Sequence, residues 1–190
     1  DMGMEITSDV MQIFGGYGYT KDQGIEQFYR DNRITPIYEG TNSVQAIDLV
    51  FRKLVNKNGS IIGRYIKFIN EEIQKNKSEN KIKPFAEKLS HYLEILINFT
   101  SWIEKNIKNS KDDVSAACND YLKVLGLVAV AFSWLKVLGV SYKELKHNKE
   151  FFENKIETAN FFFHRVLPRI DTYYNSSISG SKYIMDFKFN

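Results

Sequence analysis

The sequence predicts an all-α chain in which residues 60 to 175 form an antiparallel bundle of about four helices. Three observations carry that expectation. Apolar residues recur every three or four positions over long stretches. Only 3 prolines and 11 glycines punctuate 190 residues. No stretch shows strand alternation of comparable clarity.

Taken in order, the chain opens at Asp1 inside a periodic segment, which predicts a helix already under way and a chain that is a piece of something longer. Gly15-Gly16-Tyr17-Gly18 ends that helix as a glycine C-cap and tight turn. These glycines also permit positive φ and leave backbone N–H groups uncovered, so a second chain or a ligand can approach closely. As a phosphate loop the segment matches poorly, because no Lys-Ser/Thr follows and no strand precedes. A short helix is expected from Ile25 to Ile34, with Ile25, Phe28, Tyr29 and Asn32 on one side. Glu26, Arg30, Asp31 and Arg33 supply the polar side, Arg30 and Asp31 reading as a structural ion pair or cap. Pro36 stops this helix, since the residue before a proline avoids the helical region. Glu39 and Gly40 follow in a loop, and Thr41 or Asn42 can N-cap the next helix, Ser43 to about Leu54.

After residue 55 apolar stripes alternate with Lys/Asn-rich connections such as Asn76 to Lys81. Ile62, Tyr65, Ile66, Ile69 and Ile73 make the first stripe. Phe85, Leu89, Tyr92, Leu96, Phe99, Ile103 and Ile107 make the second, with Pro84 suited to its first turn. Val114, Cys118, Tyr121, Leu122, Leu125, Val128 and Phe132 run into a very apolar helix. Lys123 and Lys136 interrupt it, and Val124 to Leu135 falls short of the ~18 apolar residues of a membrane span, so it reads as a core helix. Phe152, Ile156, Ala159, Phe163, Val166 and Ile170 form the last stripe, which Pro168 should kink or end. The clusters Phe151-Phe152 and Phe161-Phe162-Phe163 are expected to face partner helices.

Composition excludes several classes. A net charge of +3, evenly spread, is too mild to argue for nucleic acid or an anionic membrane surface. The single cysteine, Cys118, excludes an intramolecular disulfide framework and reads as a core residue in a reducing compartment. His91, His147 and His164 lie too far apart for a metal site at ligand spacing. With no basic, apolar leader in its first residues, the chain is expected in the bacterial cytoplasm, or in the mitochondrial matrix if eukaryotic.

Glu39 is the residue whose position suggests chemistry. A carboxylate just before a helix N-terminus is held ionised by free N–H groups and the helix dipole, as a proton acceptor requires. Burial beside an apolar substrate would raise its pKa towards working pH. A surface loop glutamate that only assists the cap fits the same spacing.

Three blocks then carry a resemblance: Gln12-Ile13-Phe14-Gly15-Gly16-Tyr17-Gly18-Tyr19, Tyr29-Arg30-Asp31-Asn32-Arg33-Ile34 and Ile37-Tyr38-Glu39-Gly40-Thr41-Asn42. In order and spacing they resemble the C-terminal signature of the acyl-CoA dehydrogenases, over about residues 1 to 55. The continuation Gln45 to Val50, with Arg52-Lys53, resembles the branch with an extra C-terminal helical domain, which includes the 3-(methylthio)propanoyl-CoA dehydrogenases. Residues 1–57 would then be the end of the family's C-terminal helical domain, and residues 58–190 the additional bundle.

The resemblance implies FAD-dependent α,β-dehydrogenation of an acyl-CoA thioester. Glu39 would remove the pro-R α-proton while a hydride leaves the β-carbon for FAD N5. The Glu39 N–H, with a ribityl hydroxyl, would hydrogen-bond the thioester carbonyl, and Gly40 would lie against the substrate. Thr41, Asn42 and Ser43 would contact FAD. Gln12, Ile13, Phe14, Gly15 and Gly16 would reach across an interface to a neighbouring subunit's FAD, which implies a dimer or tetramer. An electron-transferring flavoprotein would take the electrons. Two departures, Gln23-Gly24 in a turn and Asn32 for a common alanine, lie away from the chemistry. The family's N-terminal helical domain and middle β-domain are not in these residues, so the chain alone is expected to bind FAD weakly or not at all and to lack dehydrogenase activity. A non-catalytic helical oligomerisation or interaction module is the alternative of a different class, and nucleotide binding through Gly15 to Gly18 a third.

Overall fold

The structure is a computed structural model that describes residues 1–55, 60–186 and 188. It divides into two units, Asp1–Gln45 and Ala46–Asn190. The boundary expected between residues 57 and 58 lies outside the described residues. All regular structure among the described residues is helical.

In the first unit, α1 (Met2–Phe14) ends at Gly15, whose φ of 58° is glycine's territory. A short α2 (Gly16–Tyr19) folds back on α1, so the expected tight turn is one helical turn. Gly18 is required there by sterics: an added Cβ would come 2.5 Å from the Met11 carbonyl. A 3₁₀ turn (Lys21–Gln23) leads to α3 (Ile25–Asn32), which packs on α1. This helix stops two residues short of Ile34. Thr35 Oγ1 donates to the Asn32 carbonyl at 2.8 Å, and i→i+3 turns carry the chain on to Pro36. Arg30 pairs with Glu26, one turn back on the same helix, in place of the expected pairing with Asp31. That bond holds the Glu26 carboxyl below the usual carboxylate range. Gly18 is the one buried residue described in this unit, and Phe28, on the apolar side of α3, is 67% exposed.

The second unit carries the core. α4 (Asn42–Ile47) straddles the division and runs into a π-helical turn (Asp48–Leu54), which buries Ala46, Val50 and Leu54. Then follow α5 (Ser60–Asn76), α6 (Lys83–Asn106), α7 (Lys111–Glu144), α8 (Lys149–Phe161) and α9 (Arg169–Ser177), with a last turn α10 (Lys182–Met185). The predicted stripes are the buried faces: Ile62, Ile69 and Ile73 on α5, Phe85 to Ile103 on α6, and Ile156, Ala159 and Phe163 further on. Pro84 sits in the first turn of α6, and Ser110 and Asn148 cap α7 and α8 through their side chains.

Contacts give the directions. Lys81 reaches the Tyr142 ring while Thr100 meets Tyr121, so α6 and α7 run antiparallel. Asp120 meets Ser177 while Asp113 meets Ser181, so α7 and α9 do too. Phe85 with Phe163, Tyr92 with Asp171 and Phe99 with Tyr174 set α6 alongside the stretch from Phe163 through α9 in one direction. The expected antiparallel bundle is the observed one.

Helix α7 is the one described helix long and apolar enough to cross a membrane by length and composition. Its buried stripe, from Val114 through Tyr121 and Val128 to Leu138, packs against α6, α8 and α9. Before Pro168 the chain widens into a π turn (Phe162–Val166), closed by Leu167 N–H to the Phe162 carbonyl at 2.9 Å. Pro168 has no N–H for the preceding turn, and α9 restarts after it. The aromatic clusters split: Phe162 and Phe163 are buried, whereas Phe151 and Phe161 are exposed. Adjacent helical residues point about 100° apart, so a run of three cannot all face one core.

Candidate functional site

The segment Tyr38 to Gln45 is built on two consecutive left-handed residues. Glu39 has φ 55°, and no other non-glycine residue among those described has positive φ; Gly40 follows at φ 88°. For a side chain with a Cβ this region costs about 1–3 kcal/mol, and it persists where surrounding structure over-determines it. Here the supports are visible. Tyr38 N–H donates to the Ile34 carbonyl at 3.1 Å, fixing the approach. Thr41 Oγ1 accepts from Val44 N–H at 3.3 Å, so Thr41 is the residue that caps α4. Gln45 Nε2 donates back to the Glu39 carbonyl at 2.7 Å.

Around the start of α4 the first unit has an open depression of about 470 Å³, lined by Asp1, Met4, Arg33, Ile37 and Thr41 to Ser43 among others. Two of these lining residues bond each other, Asn42 Nδ2 donating to Asp1 Oδ1 at 2.7 Å. The walls thus mix hydroxyls, a carboxamide, a carboxylate and a guanidinium, a donor-rich set for a polar ligand. Glu39 and Gly40 lie beside this set in the chain, and both are exposed.

The depression brings Thr41, Asn42 and Ser43 together, whereas Gln12 to Gly16 are not in its lining. Those residues close α1, where Ile13 is 81% exposed and a Cβ at Gly15 or Gly16 would meet nothing within 4 Å. That backbone is open to approach. Gln45 is the residue sequence reasoning passed over as a contributor. Its side-chain bond returns over six residues, and no spacing rule announces that.

Elsewhere, an apolar cavity of about 410 Å³ lies between Leu49, Leu54, Ile62, Tyr65, Leu122 and Leu125. Lys53, Tyr65 and Tyr121 also contribute to its lining. Among the described residues no cluster of three His, Cys, Asp or Glu side chains could hold a metal ion. Cys118 is buried with its Sγ 3.2 Å from the Val114 carbonyl, and burial pushes its thiol up to about 11.

Two family models match the sequence. The acyl-CoA dehydrogenase, C-terminal domain model covers residues 1–54, and the acetyl-CoA dehydrogenase C-terminal like model covers residues 65–188. A 3-methylmercaptopropionyl-CoA dehydrogenase of Ruegeria pomeroyi is 31% identical over 173 residues, which cover 88% of this chain and 29% of that protein. A broad-specificity linear acyl-CoA dehydrogenase of Mycobacterium tuberculosis is 26% identical over 177 residues, covering 85% of this chain and 28% of its own. A short-chain specific acyl-CoA dehydrogenase of Clostridium acetobutylicum is 51% identical over 47 residues, 25% of this chain and 12% of that one. The chain therefore spans less than a third of the length of these relatives.

Proposed function

The chain belongs to the acyl-CoA dehydrogenases, matching the C-terminal portion of that family, and from this premise we propose that it carries the α-proton base of an FAD-dependent acyl-CoA dehydrogenase, with Glu39 as the base. The observation that supports this most directly is the left-handed backbone at Glu39. Nothing in the packing of a surface loop calls for such a conformation at a residue with a Cβ, and a site that must aim a carboxylate and an N–H together does.

In this reading the Glu39 carboxylate takes the α-proton of the acyl-CoA thioester. Its backbone N–H donates to the thioester carbonyl and stabilises the negative charge that develops there. Gly40, without a Cβ, lets the substrate approach. FAD, when bound, supplies the acceptor at N5 for the hydride that leaves the β-carbon. The residues present suit part of its site: Thr41, Asn42 and Ser43 bring hydroxyl and amide groups to the lining of the depression. Gln12 to Gly16 offer an uncovered glycine backbone beside the exposed Ile13 and Phe14. That second segment serves the FAD of a neighbouring subunit, in a dimer or tetramer. An electron-transferring flavoprotein is the electron acceptor, and the compartment is the bacterial cytoplasm, or the mitochondrial matrix if the source is eukaryotic; neither nucleic acid nor a membrane is a partner, and α7 serves as a core helix. We place the division between the catalytic segment and the additional bundle at residue 57, consistent with the family matches on either side.

Glu39→Gln in the complete, FAD-loaded enzyme tests the assignment. The variant should keep its flavin and lose exchange of the substrate α-proton with solvent, with turnover down by roughly 10²-fold or more. Undiminished exchange would refute it.

The apolar side chains exposed in the first unit, Tyr17, Tyr19 and Phe28 among them, favour one other reading, a non-catalytic helical oligomerisation module. Sedimentation with and without FAD separates the two. Assembly that ignores the flavin and accompanies an inert Glu39 supports the module.

A further inference from the structure

The Glu39 backbone is left-handed, and nothing in its own side chain makes it so. What returns to it is Gln45, in the first turn of the helix that follows. The Gln45 backbone N–H donates to the Thr41 carbonyl at 3.0 Å, and its side-chain Nε2 donates to the Glu39 carbonyl at 2.7 Å. One residue thus grips both ends of the turn. Gly40 fits the same device: a Cβ there would lie 3.2 Å from Gln45 Nε2, close enough that the carboxamide would have to give by a few tenths of an ångström. Gly40 thus answers two demands at once, a positive φ and room for the carboxamide.

We propose that Gln45 is a positioning residue whose carboxamide clamps the Glu39 carbonyl and holds the left-handed turn that aims the Glu39 carboxylate and N–H at the substrate. The aiming rests on the reading of Glu39 as the base; the clamp itself does not. The peptide plane between Glu39 and Gly40 carries the clamped carbonyl. Fixing its orientation restrains ψ of Glu39, and the Tyr38 N–H, bonded to the Ile34 carbonyl, anchors the chain one peptide earlier, between Ile37 and Tyr38. With that plane held and the chain anchored just before it, the Glu39 Cα–Cβ vector loses part of the freedom that would otherwise let it average over several directions. A carboxamide suits the task because a carbonyl needs a donor, and Gln supplies one on a side chain long enough to span the turn.

The test has two arms. In the first, NMR of the 190-residue chain reads the backbone conformation of Glu39 from its Cα and Hα shifts. The unmodified chain should show the left-handed signature. Gln45→Met, of similar length and without a donor, should lose it while the amide shifts of the bundle stay in place. Gln45→Glu should lose it at neutral pH and regain it on acidification towards about pH 4, where a protonated carboxyl can donate again. A left-handed signature that persists in Gln45→Met, or is missing from the unmodified chain, overturns the clamp. In the second arm, the complete FAD-loaded enzyme with Gln45→Met should lose turnover by roughly 10- to 100-fold with KM little changed. Turnover within twofold of the unmodified enzyme, with the signature lost in the first arm, overturns the aiming role. An enzyme whose Glu39→Gln variant is fully active refutes the reading of Glu39 as base, and the first arm still decides the clamp.

Discussion

Inside the bundle, Thr100 and Tyr121 form a buried polar pair whose wiring follows from counting protons. Thr100 Oγ1 lies 2.8 Å from the Leu96 carbonyl and 2.9 Å from the Tyr121 hydroxyl. The carbonyl can only accept, so the one Thr100 proton goes there, and Tyr121 O–H must donate to Thr100. Burial pushes the Tyr121 phenol up to about 12, so that proton is present at any working pH. Thr100→Val removes the acceptor and strands a buried hydroxyl donor, at a cost of about 2 kcal/mol. Tyr121→Phe removes the donor while Thr100 keeps its carbonyl, so it costs less, about 1 kcal/mol. In the double variant neither partner is left stranded, and the cost should be about 1 kcal/mol. The double-mutant cycle therefore predicts a coupling near 2 kcal/mol. Urea unfolding followed by the fluorescence of Trp102 and Trp134, both in the bundle, measures all four corners. Single costs that simply add, within about 0.5 kcal/mol, would refute the proton assignment and the coupling with it.

Other consequences can be checked separately. Gly40→Ala places a Cβ on a left-handed residue and against Gln45; it should open the Glu39 turn by about 1–2 kcal/mol, read as loss of the left-handed Glu39 shifts and a roughly tenfold fall in turnover of the complete enzyme. Asp113 accepts from the N–H and hydroxyl of Ser181 at 2.6 and 2.7 Å, which holds its carboxyl below its ordinary value of 3.8. A depressed folded pKa means that the unfolded chain takes up the proton first. The contribution is therefore complete above about pH 4 and disappears as pH falls through the folded value. Acid titration of stability should flatten over that window in Asp113→Asn, and an unchanged curve would contradict the contact. The Cys118 thiol, pushed up to about 11, should resist a thiol-exchange reagent at pH 8 until the chain is unfolded in urea. Prompt stoichiometric labelling of the native chain would count against its burial.

Helical spacing made the bundle legible because each stripe has one job. Leu89, Leu96 and Ile103 repeat every seven residues and all are buried; such periodicity survives any detail of connection. The widened turns at Asp48–Leu54 and Phe162–Val166 did not show, since an extra residue in one turn shifts a stripe by less than the pattern's own tolerance. Sequence adjacency points Arg30 to Asp31, whereas helix geometry brings side chains together four apart, and the bond it makes is to Glu26. At the candidate site the residue types pointed to Glu39, and Gly40 announced a turn. The left-handed φ of Glu39 itself was hidden, because it is imposed by bonds from Ile34 and Gln45 rather than preferred by the residue.

The bonds that hold α9 join residues far apart in sequence: Tyr92 with Asp171, Asp120 with Ser177 and Asp113 with Ser181. The α6–α7 hairpin, by contrast, closes across the short connection at residues 107–110. During synthesis that hairpin can zip up as soon as α7 is made, while α9 must wait for the chain to come round again. The order of assembly is thus written into the topology, hairpin first and α9 last. Until α9 arrives, the flank of α7 that will receive it, marked by Asp113, Asp120 and Lys123, is the surface a folding helper would find to hold.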